Sequence, residues 1–317
     1  MTPSTCFDAN IMVPRRIIVP FDLSVWQQST SVSTTPFAVT GICSPPLTAA
    51  GTPWLVNAMA SLYLIDGSFE LFRCFFGAPR AQRSDGAEVG AVRTLFGTTL
   101  TLLREEALTH VAVAFDDVDL LEAREPEDTE LIHSQYDLAR DVFAALGVTV
   151  WTMSGFSADD ALATSAHRFD SEPSLDHIVI CSSDNDFAQC VRGERILLYN
   201  RIKRLMMNEA GVLEKFGVPP ELIPSWLALV GDKSDGIPGI PGFGPKATAT
   251  VLRRFGRMED IPLEAAAWEQ LDVRGKAKLA TTFIERRAEA IGYRDQGIKR
   301  LDAPVTENLA ELRWQGA

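Results

Sequence analysis

The sequence has no long apolar run, few histidines and no paired cysteines. None of its hydrophobic stretches approaches the roughly 18 residues that a membrane-spanning helix needs, so we do not expect a membrane protein. The five cysteines form no CxxC pair, and the four histidines show no metal-ligand spacing. These absences argue against a disulfide framework and a zinc site, and they indicate a reducing compartment and a cytoplasmic location.

Positive charge is also scarce. The chain of 317 residues carries 42 acidic and 30 basic side chains, which gives a net charge of −12. Proteins that bind polyanions are usually basic, so the balance counts against nucleic acid as a first expectation. Acidic groups around metal ions invert the local field, however, and a basic face elsewhere could still contact phosphates. Net charge alone therefore leaves both classes of protein open.

Regular periodicity is missing from residues 1–58. This segment is rich in Ser, Thr and Pro, and it lacks the basic start and apolar centre of a signal peptide. At Met59 the character changes at once to a compact apolar strand pattern. We expect residues 1–58 to be a disordered or wrongly assigned N-terminal extension, with a targeting segment as the lesser alternative.

Apolar strand patterns alternate with helical patterns in the next part of the chain. Strands are predicted at 62–66, 110–116, 148–153, 177–182 and 195–200, and helices at 89–106, 129–146, 158–169 and 184–191. Strands that are apolar on both faces and alternate with helices are typical of a mostly parallel, doubly wound α/β sheet. After residue 205 the pattern is helical only. We therefore predict an α/β core over 59–205 and a helical region over 206–317.

Aspartates follow several of the predicted strands. The carboxyl ends of parallel strands meet at one edge of a sheet, so we expect these side chains to converge there. Two further acids are spaced i and i+3, as on one helical face. The predicted ligands are Asp66, Asp116, Asp159, Asp160, Asp184, Asp186, Asp232 and Asp235.

Such a cluster needs cations to neutralise it, and hard oxygen ligands select Mg²⁺ or Mn²⁺. Two of these ions can carry out phosphodiester cleavage, which is the chemistry we predict for the site. Taken singly, Asp66 or Asp116 would more readily be a helix cap.

A segment rich in Gly and Pro follows the last two acids. Residues 231–248 read GDKSDGIPGIPGFGPKAT. The glycines allow a tight turn before a helix whose first backbone N–H groups can hold a phosphate without reading a base. Lys246 adds a positive charge at the same point. Gly239, Gly242, Gly244 and Lys246 are therefore predicted to contact DNA from a turn between two helices.

Together these motifs resemble the 5′ nuclease family, which includes the nuclease domain of bacterial DNA polymerase I and free-standing flap endonucleases. The matching segments are LIDGSFELFRCFF, VAVAFD, GFSADDALAT, VICSSDNDFAQCV and GDKSDGIPGIPGFGPKAT, within about residues 61–300. The resemblance implies a PIN-like sheet whose edge holds two metal ions. It also implies a helix–hairpin–helix that grips duplex DNA, often with a bound K⁺. All eight aspartates fall on the family's acidic positions, with catalytic roles for Asp116 and for Arg73 near the scissile phosphate.

The chain departs from the family at two places. Ser157, in GFSADD, stands where the family usually has Glu. The segment after the second strand is acidic instead of aromatic and basic, with Arg124 as the one base in 116–130, so the arch over a single-stranded 5′ end is expected to be truncated or absent.

We expect a structure-selective 5′-3′ exonuclease or 5′-flap endonuclease that acts on duplex DNA with a 5′ end or 5′ flap. The alternative is a DNA-binding relative with weak or lost catalysis. An aspartyl phosphatase is rejected, because Ser68 occupies the position of its second Asp.

Overall fold

The computed structural model describes residues 60–105, 108–123 and 125–316, together with the backbone of Ile17–Ile18. Ile17–Ile18 forms a short parallel ladder with Leu121–Glu122. The rest of the predicted extension, residues 1–58, lies outside the described residues.

A six-stranded sheet forms the centre of the fold. Its strands are β1 (Ser61–Asp66), β2 (His110–Phe115), β3 (Thr149–Thr152), β4 (His177–Cys181), β5 (Ile196–Asn200) and β6 (Leu205–Met207). Their order is β3–β2–β1–β4–β5–β6, and every neighbouring pair is parallel except β5 and β6. The order reverses between β1 and β4, and ligands bind beyond the carboxyl ends of strands at such a point. The predicted mostly parallel, doubly wound sheet is confirmed.

The central strands are apolar on both faces because both faces are covered. All six positions of β1 are buried. Successive side chains of a strand point to opposite faces. Leu62 and Leu64 accordingly pack into one hydrophobic cluster, whereas Tyr63 and Ile65 pack into the other. Burial on both sides is the property of parallel strands from which the fold class was predicted.

In the part of the chain that the structure describes, eight α-helices surround the sheet. They are α1 (Gly67–Gly77), α2 (Gly90–Glu105), α3 (Pro126–Ala145), α4 (Ala158–Phe169), α5 (Glu209–Phe216), α6 (Ile223–Val230), α7 (Pro245–Phe255) and α8 (Lys276–Gly297). Helices α1 to α3 pack on one face, and α4 packs on the other face together with the C-terminal helices. Among the helices described, none has the length and apolarity to cross a membrane.

The edge of the sheet differs from the prediction. Leu205–Met207 forms a strand antiparallel to β5, so the expectation that the chain is helical only after residue 205 is wrong there. A turn over 201–204 reverses the chain, with the Asn200 side-chain oxygen accepting the N–H of Lys203 and a left-handed backbone at Arg204. The division into two domains stays a prediction.

Two smaller predictions also differ from the structure. The predicted helix at 184–191 is a short 3-10 helix, Asp186–Cys190. Asp232 and Asp235 do not share a helical face, because α6 ends at Val230. They lie in a turn closed by backbone hydrogen bonds between Asp232 and Ile237, at 2.8 and 2.7 Å.

Candidate metal centre

Asp66 combines two roles at the end of β1. One carboxylate oxygen caps α1 by accepting the N–H of Phe69 at 2.9 Å, and the other accepts the hydroxyl of Ser182 at 3.0 Å. The side chain also lines a cleft at the reversal point of the sheet. Burial raises the pKa of Asp66 well above its ordinary value, and the charge of Asp159 reinforces the effect. Asp66 is thus a helix cap whose side chain also lies in the cleft, and its role as a metal ligand stays a prediction.

Asp116 is held by its neighbours at the end of β2. Its N–H donates to Ser68 Oγ at 2.9 Å, and its carbonyl oxygen accepts the hydroxyl of Tyr136 at 2.5 Å. Its carboxylate accepts the N–H of Ala158, the first residue of α4, at 2.8 Å. Burial, with a contribution from the charge of Asp159, raises the pKa of Asp116 to about 6.

Asp184, Asp186 and Asp235 form a group that could hold a metal ion. One oxygen from each lies within 4.8 Å of the others. Burial, then the charge of Asp235, raises the pKa of Asp184 to about 7. Asp186 is fully buried, and neither of its carboxylate oxygens has a well-aligned hydrogen-bond partner in the described part of the chain. Three carboxylates this close together need positive charge to balance them, so this group fits a hard divalent ion.

Lys299 brings a positive charge into the same group from the segment after α8. Its Nζ lies 2.7 Å from Asp159 Oδ2 and also contacts the carboxylate of Asp186. Burial alone would lower the pKa of the Lys299 ammonium, but the charges of Asp159 and Asp186 raise it well above its ordinary value. Lys299 was missed in the sequence, because no motif marks a lysine so far along the chain from the acids it contacts.

Asp159 and Asp160 are adjacent in the chain but differ in their contacts. Asp159 lines the cleft. The Asp160 carboxylate accepts the N–H of Ser157 at 3.2 Å and the N–H of Arg300 at 2.9 Å. The Ser157 hydroxyl accepts the N–H of Asp160 at 3.0 Å in return, which makes a capping box at the start of α4. Ser157 therefore acts as a helix cap at the position where the family usually has Glu.

The structure brings most of the predicted ligands to one place. The aspartates that line the cleft are Asp66, Asp116, Asp159, Asp184 and Asp235. Asp186 lies in the group with Asp184 and Asp235. The Asp232 carboxylate is occupied within its own turn, where it accepts the N–H and the hydroxyl of Ser234. The ligand roles of all eight aspartates stay predictions. In addition, other groups already occupy both carboxylate oxygens of Asp160 and Oδ1 of Asp232.

Arg73 lies on α1 beside the cleft instead of in its lining. Its guanidinium contacts Glu70 at 2.5 Å and Thr98 Oγ1 at 3.3 Å. Glu70 is buried and also lies 2.8 Å from Arg201. The structure therefore places Arg73 in a basic pocket next to the acidic cleft.

The predicted turn joins α6 to α7. Gly239 and Gly242 have left-handed backbones, with φ of 76° and 91°, and a Cβ at Gly239 would lie 2.6 Å from the carbonyl oxygen of Val230. Phe243 anchors the turn by packing in the hydrophobic cluster of the C-terminal helices. Gly244 is the N-cap of α7, and Lys246 is exposed in its first turn. The first N–H groups of α7 have no carbonyl partner within the helix, as an anion-binding helix start requires.

The segment after β2 is short. The chain passes from Phe115 through a 3-10 turn, Val118–Leu120, and the strand Leu121–Glu122, and α3 begins at Pro126. This is the place where the resemblance led us to expect a truncated or missing arch.

Carboxylates at the reversal point of a parallel sheet, beside a helix–hairpin–helix, define a metal-dependent nuclease. Two family models match: the 5′-3′ exonuclease N-terminal resolvase-like domain over residues 61–217, and the 5′-3′ exonuclease C-terminal SAM fold over residues 218–317. The chain belongs to the 5′-3′ exonuclease family.

Individual relatives agree with this membership. The chain is 31% identical to a 5′-3′ exonuclease of Aquifex aeolicus over 278 residues, which cover 81% of this chain and 93% of the relative. It is 32% identical to DNA polymerase I of Mycobacterium tuberculosis over 283 residues, which cover 85% of this chain and 30% of the polymerase. The chain thus spans nearly all of the free-standing relative and less than a third of the polymerase.

Solved structures with the same fold come from bacteriophage T5. A 5′-exonuclease with bound zinc superposes with a TM-score of 0.57 at 18% identity, covering 75% of this chain and 89% of that one. A flap endonuclease in complex with DNA and metal ions superposes with a TM-score of 0.55 at 20% identity, covering 76% and 89%.

Proposed function

We propose that the chain cleaves DNA at 5′ ends and 5′ flaps with the help of two divalent ions. The observation that carries the proposal is the convergence of six aspartates at the reversal point of the sheet, within a fold that also supplies a helix–hairpin–helix. Asp186 is fully buried in a group with Asp184 and Asp235, and Lys299 supplies a single positive charge against these three carboxylates. A DNA-binding protein without catalysis has no need of such an excess of negative charge. We therefore favour an active nuclease over a binding-only relative.

The carboxylates divide into two sets around the cleft. Asp184, Asp186 and Asp235 would hold one ion, and Asp66, Asp116 and Asp159 would hold or orient the other. Carboxylate oxygens favour Mg²⁺ or Mn²⁺. When bound, such ions supply an activated water and stabilise the leaving oxygen of a phosphodiester.

The other residues of the site bind and orient DNA. The start of α7 and Lys246 would grip phosphates of the duplex without reading bases, and a K⁺ at this hairpin, implied by the family resemblance, is part of the same proposal. Phe69, half-buried in the cleft lining, offers a ring on which a terminal base can stack. The short segment after β2 favours substrates whose 5′ end does not have to thread through an arch.

A cytoplasmic location belongs to the same proposal. In the described part of the chain, Cys74, Cys181 and Cys190 form no disulfide, as a reducing compartment favours.

The test uses labelled flap, nicked, blunt and hairpin DNA with Mg²⁺, Mn²⁺ or EDTA. Wild type should cut with either metal and not with EDTA. Asp184→Asn should cut more than about 100-fold more slowly, because a metal ligand is lost. Its DNA affinity should not fall, because removing a negative charge does not weaken attraction to phosphate. Asp137→Asn, on the exposed face of α3, is the matched control and should behave as wild type.

Two outcomes would change the conclusion. Normal cleavage by Asp184→Asn would remove the proposed metal site. Wild type that binds these substrates but cuts none of them in either metal would favour the binding-only relative.

A further inference from the structure

A second pocket lies beside the acidic cleft and shares none of its lining residues. It is bounded by α2 and by the turn between β5 and β6. Its polar lining is Arg73, Arg201 and Arg204 with Thr94, Thr98, Thr101 and Tyr199. The pocket therefore combines three guanidinium groups with the hydroxyl groups of three threonines and one tyrosine.

The positive charge in this pocket exceeds what the protein neutralises. Arg73 and Arg201 both contact the one buried carboxylate of Glu70, at 2.5 and 2.8 Å. Arg201 is held further by donating from Nη2 to the carbonyl oxygen of Thr98 at 2.8 Å, while Nη1 is the buried nitrogen that contacts Glu70. Three guanidinium groups thus face one carboxylate, which leaves an uncompensated cationic site in a protein of net charge −12.

The backbone of the turn is built to present Arg204. Its φ of 51° is left-handed, and it is the one non-glycine residue in the described ranges with a positive φ. Such a conformation costs free energy in a residue that has a Cβ, and it recurs where a side chain must be presented to a ligand.

We propose that this pocket binds a phosphate group of the DNA strand, about three nucleotides from the phosphate that lies in the acidic cleft. Guanidinium groups pair with phosphate oxygens in a forked geometry, and hydroxyl groups add further donors. Asp66 caps the start of α1 and Arg73 lies seven residues along the same helix, about 10 Å at 1.5 Å per residue. A strand that advances about 3.4 Å per nucleotide covers this distance in about three steps.

The inference rests on the proposed function and deepens it, since it names a second contact for the same substrate. The phosphate has two possible sources in the DNA. It is either the terminal phosphate of a 5′ end or a phosphodiester inside the strand, and both present the same oxygens to the pocket.

The test measures binding of the full chain in EDTA by fluorescence anisotropy, with cleavage in Mg²⁺ measured separately. The probe is a fluorescein-labelled nicked duplex whose strand at the nick begins with a 5′-phosphate or a 5′-hydroxyl. Arg204→Asn removes a charge while tolerating the left-handed backbone, and Thr94→Glu places a negative charge in the pocket. Arg83→Asn, an exposed arginine that pairs with its neighbour Asp85, is the matched control.

We expect both pocket variants to bind the nicked duplex about three- to tenfold more weakly than wild type. The slope of log affinity against log salt concentration should also be shallower by about one unit, the value of one phosphate contact. Arg83→Asn should bind as wild type. If wild type prefers the 5′-phosphate and the variants lose this preference, the ligand is the terminal phosphate. If both probes weaken equally, it is an internal phosphodiester.

Wild-type affinity in both folded pocket variants would overturn the phosphate site while leaving the proposed function standing. A wild-type chain that neither binds nor cuts DNA would instead overturn the proposed function. The melting temperatures of the variants identify any that fail to fold, and weakened binding in one folded pocket variant is sufficient support.

Discussion

At the scale of single residues, Lys299 shows how the acidic cleft is balanced. Its ammonium lies against Asp159 and Asp186, so the protein supplies part of the positive charge that the carboxylates need. A buried charge that loses its partner is strongly destabilising, because the remaining ion is neither solvated nor neutralised. Lys299 and a divalent ion should therefore act on the same carboxylates.

Lys299→Met should lower the melting temperature in EDTA at pH 8 by several degrees, because Asp159 and Asp186 lose their counter-charge. Adding Mg²⁺ should then raise the melting temperature more in the variant than in wild type, since the ion now supplies charge that Lys299 supplied before. Differential scanning fluorimetry with and without Mg²⁺ measures both effects. Lys246→Met, which removes an exposed lysine, serves as the control, and an equal Mg²⁺ response in all three proteins would contradict the prediction.

Physical reasons explain which site residues could be predicted from the sequence and which could not. Asp66, Asp116 and Asp184 could be predicted because the ends of parallel strands meet at one edge. The contacts of Asp160 could not, because neighbouring positions in the first turn of a helix point in different directions and only the fold decides which one meets the cleft. The contact of Glu70 with Arg201 and the contacts of Lys299 were missed because these partners come from distant parts of the chain, and no local pattern records such a contact.

At the scale of elements, the turn between α6 and α7 separates glycines that the fold needs from a glycine open to a ligand. A Cβ at Gly239 would collide with backbone, whereas a Cβ at Gly244 would meet no atom within 4 Å. Gly244 also has an extended backbone, with φ of −95°, that any residue can adopt. The sequence pattern identified all these glycines as one motif, and the backbone angles distinguish their roles.

Gly244→Val should fold with a melting temperature within a few degrees of wild type, because the added methyl groups enter open space. Duplex binding should weaken several-fold, since those groups cover the first N–H groups of α7. Binding is measured by anisotropy in EDTA and folding by thermal melting. Gly292→Val, an exposed glycine of α8 that also has open space, should bind DNA normally. Unchanged binding by Gly244→Val would argue that α7 does not hold DNA by its start.

At the scale of the whole molecule, the buried carboxylates link stability to pH and to metal. Burial raises the pKa of Asp116 to about 6 and that of Asp184 to about 7, from 3.8. Between pH 4 and 7 the unfolded chain has lost protons that the folded chain still binds at these groups. Stability contributed by the site therefore falls as pH rises through this window, and it levels off above it.

In EDTA, the titration of these groups should lower the melting temperature of wild type as pH rises from 5 to 7.5. Asp184→Asn should show a smaller decline, because one titrating group is gone. Saturating Mg²⁺ should oppose the loss, and its stabilising effect should grow with pH, because ligands must be deprotonated to bind the ion. Thermal melting at several pH values measures these slopes. A Mg²⁺ effect that shrinks as pH rises would show that the ion binds elsewhere.

The two hydrophobic clusters of the described structure are built from residues 62–312. The described contact with the first 58 residues is the short ladder between Ile17–Ile18 and Leu121–Glu122. Removing residues 1–58 should therefore cost no more than the net free energy of a few hydrogen bonds, on the order of 1–2 kcal/mol. A chain that begins at Met59 should melt within about 4–8 °C of the full chain and cut the same substrates at a similar rate.

A chain that begins at Gly67 lacks β1, the strand between β2 and β4, and should not fold. Insolubility of the Met59 chain, or a melting temperature far below that of the full chain, would show that residues 1–58 are part of the folded unit.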